Sequence, residues 1–171
     1  MADDMAGRPA WRLPVRALLA GREFASVRVD LVARPEELVA TERLPLHGAL
    51  AFAGFPVRDI EVVAPGQHFA EKLHALTRRW PDRESTRVRD LVDLILLIED
   101  GRLDPRQVRD VAGHVFQVRR LHALPDEIPD PPQSWSTTYA MLADGLDLQA
   151  TDIVDAMTTL RRFWATARQE G

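Results

Sequence analysis

The segment RVRDLVDLILLIED, residues 87–100, constrains the fold more than any other part of the sequence. On a helical wheel six of its aliphatic side chains already cover well over half of the circumference; they are Val88, Leu91, Val92, Ile95, Leu96 and Ile98. A helix that is apolar over so wide an arc packs against neighbours on several sides. The fold must therefore surround this helix with other elements.

Two aspartates, Asp90 and Asp93, lie three residues apart on one strip of this helix. Burying a carboxylate without a partner is costly, so both must reach solvent or meet cations. One interpretation is structural: Asp90 interacts with the positive end of the helix dipole, and Asp93 pairs with Arg89 one turn earlier. The other is that the strip borders a polar binding cleft. The pattern alone leaves both open.

A lysine, Lys72, lies on the preceding helix, which is predicted over residues 66–79. Arg79 follows Lys72 by about two turns, so the two cations would share one face. This face is either solvated or a phosphate-binding strip. A loop of about seven residues joins the two helices, which makes them neighbours. Lys72 is therefore expected to face the two aspartates.

The order of the elements predicts an α+β fold. Apolar and polar side chains alternate over residues 15–19 and 27–31 around a turn, which is typical of a β-hairpin, and residues 57–63 are predicted as a third strand. The pattern then becomes helical, with helices predicted over 66–79, 87–100, 104–120, 133–145 and 150–168. The third helix opens with Asp104 as its N-cap and a proline in the first turn. The predicted domains are 11–63 and 64–171.

Charge and composition limit the class of protein. The net charge of −4 excludes a globally basic nucleic-acid binder, and the absence of cysteine excludes disulfides and thiolate metal sites. No apolar run approaches the length of a membrane span, and the amino terminus does not read as a signal peptide. The expected location is the cytoplasm, with no membrane partner.

Three further features of the sequence each allow a structural or a functional interpretation. Asp30 is an acid on a predicted strand, where aspartate is disfavoured, so either an outward-facing position or a functional role would explain it. His68 and His74 lack the spacing of metal ligands on one helix face. Arg119 and His122 belong to a small basic patch, for which a solvated helix end is favoured over an RNA phosphate contact.

Four stretches of the sequence resemble the nucleotidyltransferase AbiEii/AbiGii toxin family of type IV toxin–antitoxin systems. They are LLAGREFASVRVDLVA, LAFAGFPVRDIEVVAPGQHFAEKLHALTRR, STRVRDLVDLILLI and FQVRRLHALPDEIPDPPQSWSTTYAML, and the resemblance covers about residues 11–139. AEKLHA followed by RVRDLVDL is the most specific combination. The resemblance implies an incomplete nucleotidyltransferase-like mixed sheet of two or three strands, followed by a helical domain of about five helices.

The resemblance also implies an activity and the residues for it. Family members transfer a nucleotide from a nucleoside triphosphate (NTP), with Mg²⁺, to an RNA such as tRNA, and they act beside a cognate antitoxin. By position, Asp30 matches the third acid of the core and a metal ligand, and Lys72 matches the lysine that contacts the nucleotide phosphates. Asp90 and Asp93 match the acidic motif beside the site. Arg79 and Arg89 are expected to assist Lys72 in binding phosphate.

One departure from the family pattern concerns the amino terminus. The family begins with a Gly-Gly or Gly-Ser turn and an Asp-x-Asp motif, whereas residues 1–10 read MADDMAGRPA, with adjacent aspartates. Nucleotidyl transfer of this kind uses two or three carboxylates around Mg²⁺. The expectation is therefore an amino-terminally truncated member. The alternative is a catalytically inactive remnant that still binds nucleotide or RNA.

Overall fold

A computed structural model describes residues 2–3, 9–33, 35–46, 48, 51–54 and 56–169. The chain divides into two compact units, Met1–Glu36 and Glu37–Gly171. This division is based on contacts between residues in space. It does not test the domain boundary predicted after residue 63, which stays a prediction. Among the described residues, none of the helices is both long and apolar enough to cross a membrane.

The first unit contains a β-hairpin. Strands β2 (Pro9–Leu19) and β3 (Arg22–Val32) pair in the antiparallel sense, and the short strand β1 (Ala2–Asp3) pairs with the start of β2. The turn places Ala20 and Gly21 at φ angles of 49° and 75°. A two-residue turn with both φ angles positive matches the right-handed twist of the strands it joins. The predicted hairpin is confirmed.

The two faces of the hairpin differ in polarity, as the period of two requires. Cross-strand pairs on one face are apolar: Trp11 with Leu31, Leu13 with Val29, Val15 with Val27, and Ala17 with Ala25. The other face carries the ion pair of Arg12 with Asp30 and, beside it, the pair of Pro14 with Arg28. Asp30 therefore lies on the polar face of its strand.

The second unit combines a two-stranded sheet with helices. Its strands, β4 (Thr41–Pro45) and β5 (Asp59–Val63), are antiparallel, and a 3-10 turn (Ala51–Ala53) lies between them. The helices are α1 (Pro65–Thr77), α2 (Val88–Glu99), α3 (Pro105–Arg119), α4 (Trp135–Ala143) and α5 (Ile153–Gln169). The α+β class and the five predicted helices are confirmed.

The sheets differ from the expected single mixed sheet. All strand pairs in the described ranges are antiparallel, and they belong to two separate sheets. A parallel pair needs a crossover of a dozen or more residues, usually a helix. Here every α-helix follows the last described strand, so no helical crossover joins these strands.

Helix α2 is packed as its wide apolar arc predicts. Leu91, Leu94 and Ile95 are completely buried, and α2 contacts α1, α4 and α5. The hydrophobic core found in the described residues lies among the five helices, and its largest fully buried apolar side chains are Trp164, Tyr139, Phe69, Leu73, Leu91, Leu94, Ile95 and Leu160. Both aspartates of α2 must therefore find their partners within a helical bundle.

Helix α3 tests the predicted N-cap. The Asp104 carboxylate accepts a hydrogen bond from the backbone N–H of Arg106 at 3.0 Å, as predicted. We expect Asp104→Ala to lower the free energy of unfolding by about 1 kcal/mol, because this N–H loses its acceptor. Urea unfolding followed by circular dichroism measures the change. Asp104→Asn keeps the cap, so an equal loss in both variants would contradict this role.

Candidate functional site

Lys72 of α1 and the two aspartates of α2 form one cluster. The Lys72 ammonium lies 3.1 Å from Asp90 Oδ1 and 2.6 Å from Asp93 Oδ2. Arg87 is a second cation of this cluster, with its Nη1 atom 3.5 Å from Asp90 Oδ2. The structure thus brings together the three residues that the short interhelical loop was expected to place side by side. With two cations and two carboxylates, the cluster is electrically neutral.

Burial explains why the cluster needs both cations. The Asp90 side chain is only 10% exposed, whereas those of Lys72 and Asp93 are 27% and 37% exposed. A buried carboxylate is stable only when cations and hydrogen bonds replace its water. Burial alone would lower the pKa of Lys72, but the hydrogen bonds from Lys72 to Asp93 and Asp90 outweigh it and raise that pKa above its ordinary value. Lys72 is therefore a cation at neutral pH.

The ammonium of Lys72 retains binding capacity. A lysine has three N–H donors, and Asp90 and Asp93 accept two of them. The third donor is available to another acceptor, and the partial exposure of the side chain gives a ligand access to it. A protonated lysine held by two carboxylates cannot serve as a base, but it can hold an anionic oxygen.

The two predicted auxiliary arginines do not join this cluster. Arg89 is exposed, and no ion pair in the described residues links it to Asp93, so the expected Arg89 pairing is wrong. Lys72 takes that carboxylate instead. Arg79 lies beyond the end of α1, because the helix stops at Thr77 and the backbone of Arg78 is extended. Lys72 and Arg79 therefore do not form a continuous helical strip.

Asp30 lies in the hairpin unit and is held by its cross-strand neighbour. Arg12 donates from Nε to Asp30 Oδ1 at 2.7 Å and from Nη2 to Oδ2 at 3.0 Å. The hydrogen bonds from Arg12 lower the pKa of Asp30 below its ordinary value. The carboxylate is thus ionised, and a guanidinium engages both of its oxygens. The predicted role of Asp30 as a metal ligand stays a prediction.

The described residues lack a large cluster of candidate ligands for magnesium. Mg²⁺ is coordinated by oxygen ligands in near-octahedral geometry, often with one or two carboxylates. Across the described ranges, no group of three or more histidine, aspartate or glutamate side chains lies close enough to hold a metal ion. The carboxylates of the candidate site already neutralise Lys72 and Arg87. These residues therefore do not fit a bound divalent ion by themselves.

A second polar cluster, which sequence reasoning missed, lies where α1 meets the end of α3. Arg119 donates from Nε to Glu37 Oε1 at 2.9 Å, and its Nη2 also reaches Glu37 and lies 3.8 Å from Glu71 Oε2. The side chains of Glu37 and Arg119 are 2% and 12% exposed. The expectation of a solvated helix end at Arg119 is therefore wrong, because the last turn of α3 packs against α1.

Gln67 and two histidines complete this second cluster. Gln67 is fully buried; its Nε2 donates to the Glu37 carbonyl and to Glu71 Oε1. The His74 and His122 rings lie 4.5 Å apart, and Arg119 Nη1 lies 3.3 Å from His74 Nδ1. Burial and the charge of Arg119 lower the pKa of His74 to about 3, so this ring is neutral. The feature of the sequence that could have indicated this cluster is a polar residue, Gln67, on an apolar face of the helix.

Comparison with known proteins gives the class and then the family. Residues 3–168 match a family of nucleotidyltransferases that are toxins of toxin–antitoxin systems. The family is described as nucleotidyl transferase AbiEii toxin, Type IV TA system, and because the match spans nearly all of the 171 residues, the chain belongs to it. No curated protein matches the chain in sequence. The family assignment made from the sequence is confirmed, whereas the role of each site residue stays a prediction.

Proposed function

We propose that this chain is the nucleotidyltransferase toxin component of a toxin–antitoxin system, and that Lys72 holds the triphosphate of its NTP. The observation that carries this proposal is the third N–H donor of Lys72, on a side chain fixed by Asp90 and Asp93 and still reachable from solvent. The proposed acceptor is an RNA, such as tRNA, and the proposed location is the cytoplasm. A cognate antitoxin is the partner that the family implies.

The two aspartates have different proposed roles. Asp90 is the more buried and contacts both Lys72 and Arg87, which suits a residue that orients the lysine. Asp93 is more exposed and contacts Lys72 at 2.6 Å, so one of its oxygens can also accept a hydrogen bond from a sugar hydroxyl. We therefore expect Asp93→Asn to affect nucleotide binding more than stability, and Asp90→Asn the reverse.

The proposed reaction is the transfer of a nucleotide. A hydroxyl oxygen of the acceptor forms a bond to the α-phosphorus, and the bond from that phosphorus to the bridging oxygen breaks. Pyrophosphate leaves with the electron pair, and the hydroxyl proton passes to solvent water. Divalent metal ions generally neutralise the developing charge in such reactions. Asp30 is the proposed metal ligand, but Arg12 engages both of its oxygens, so no step is assigned to a metal.

Nucleotide binding by purified protein tests the proposal. Lys72→Ala is expected to weaken NTP binding by roughly tenfold, because a charge-assisted hydrogen bond is lost. Titration calorimetry measures the affinity, and circular dichroism shows whether the variant folds. Arg162→Ala removes an equal charge from an exposed position of α5 and serves as the matched control.

The result that would contradict the proposal is also specific. If the parent binds no NTP and Lys72→Ala unfolds, the cluster is only a salt bridge between α1 and α2. Lys72→Ala could lose NTP binding only because it unfolds. A double variant, Asp90→Asn with Lys72→Met, avoids this problem because it removes the buried charge together with its cation. This double variant should remain folded and bind NTP poorly.

A second candidate function is the binding of nucleotide or RNA without transfer. It is favoured by the absence, within the described ranges, of a cluster of three or more side chains that could hold a metal ion. Incubation with a radiolabelled NTP and total tRNA discriminates the two functions. Label that becomes attached to RNA supports transfer, whereas NTP binding without labelling supports the binding function.

A further inference from the structure

The loop over residues 78–87, which joins the two helices of the site, carries an arginine–tryptophan cluster. The guanidinium carbon of Arg78 lies 4.0 Å from the centre of the Trp80 ring, and that of Arg83 lies 4.3 Å from it. Cations at this distance from an indole face are attracted by its π-electrons. The loop therefore presents an aromatic ring and two guanidinium groups as one surface.

These arginines, Arg78 and Arg83, together with Arg79, form no ion pair with a carboxylate of the described residues. Cations placed close together repel one another unless an anion lies between them. Their charge is therefore available to a ligand.

A cleft of about 280 Å³ opens beside this cluster. The residues that line it include Arg78, Arg79, Trp80 and Arg83, together with Pro129 and Trp135. Asp130 is the carboxylate that lines it, and Arg161 already holds that group at 2.6 Å. The cleft thus combines apolar and aromatic walls with unneutralised positive charge.

The walls of the cleft are held in place by hydrogen bonds. Trp135 donates from Nε1 to the Ser85 carbonyl at 2.8 Å, and Ser134 donates to Glu84 Oε2 at 2.7 Å. Both bonds attach the 78–87 loop to the start of α4. A ligand that enters this cleft therefore meets a preformed surface and does not have to order the loop.

We infer that this cleft binds one nucleotide of a single-stranded RNA. Sites for single strands combine basic side chains that follow the phosphates with aromatic rings on which bases stack, and guanidinium planes also stack on bases. The volume is close to the lower limit for small-ligand pockets, which suits one nucleotide. Thr77, which ends α1, follows Lys72 by five residues, about 7.5 Å along the helix, and Arg78 is the next residue. The inference rests on the proposed function, because it makes this RNA the acceptor.

Fluorescence anisotropy with a labelled single-stranded RNA of about ten nucleotides tests the inference. Trp80→Ala is expected to weaken binding on the order of tenfold, because a stacking surface is lost. Arg83→Ala should weaken binding and reduce the slope of log affinity against log salt by about 0.7, because one phosphate contact is lost. Arg162→Ala, on the exposed face of α5, is the control with an equal change of charge.

Each outcome bears on the inference separately from the proposed function. Lys72→Ala should bind this RNA as the parent does, while Trp80→Ala and Arg83→Ala should retain NTP binding. Absence of RNA binding by the parent overturns the RNA cleft and leaves the Lys72 site intact. If Trp80→Ala loses NTP binding but retains RNA binding, the cleft holds the base of the NTP. This result also overturns the inference of an RNA cleft. Trp80→Phe, which retains a ring, should restore most of the affinity.

Discussion

Replacing Arg119 by methionine is expected to lower the free energy of unfolding by about 3–5 kcal/mol. Glu37 is 2% exposed, and the variant removes the guanidinium that holds its carboxylate at 2.9 Å. Water cannot take the place of this cation, so the variant retains a buried charge without its main compensation. Urea unfolding followed by helical circular dichroism measures the difference.

Two further variants establish that the buried pair causes this loss. Arg120→Met changes the next residue, which is exposed, and is expected to alter stability by less than about 0.5 kcal/mol. Adding Glu37→Gln to Arg119→Met should recover part of the lost stability, because it removes the buried charge as well. Equal effects of Arg119→Met and Arg120→Met would contradict the assignment of a buried ion pair.

The elements of the fold were predictable because each has a local periodicity. Alternation over residues 15–31 gave the hairpin, and the wide apolar arc of residues 88–98 gave a helix with neighbours on several sides. The antiparallel pairing of β4 with β5 was not predictable in this way. The alternation of apolar and polar residues shows which face of the strand a side chain occupies. It does not show which other strand pairs with this one.

The Lys72 cluster was predictable, whereas its second cation was not. A short loop between two helices limits which side chains can meet, and this brought Lys72 to Asp90 and Asp93. The choice between Arg87 and Arg89 depends on rotamers and on which carboxylate is already occupied. Asp93 pairs with Lys72 and not with Arg89, and Arg87 supports Asp90. The spacing of residues along the sequence does not show which cation pairs with which carboxylate.

The buried cluster around Arg119 lay outside the reach of sequence reasoning for another reason. Glu37 and Arg119 are 82 positions apart, and Glu37 lies in a segment without helical or strand periodicity. Arg119 occupies the last turn of α3, where a solvated cation near the helix dipole is the usual arrangement. The packing of α3 on α1 decides the outcome, and that packing is a property of the tertiary fold.

The same packing predicts how stability depends on pH. Burial, the charge of Arg119 and the neighbouring His122 hold the pKa of His74 at about 3, against 6.5 for an ordinary histidine. Between these values the unfolded chain binds a proton at His74 and the folded chain does not, so stability rises with pH in this window. His74 alone is expected to lower the free energy of unfolding by about 2 kcal/mol between pH 7 and pH 5.

Urea unfolding at a series of pH values measures this dependence, and two histidine variants isolate its source. His74→Gln removes the titrating group, so the free energy of unfolding should fall less steeply between pH 7 and pH 5 than in the parent. His68→Gln lies on the same helix but at an exposed position, and it should leave the slope unchanged. The carboxylates titrate in all three proteins, so their contribution cancels in the comparison of slopes. If His74→Gln retains the slope of the parent, His74 is not held neutral by its burial beside Arg119.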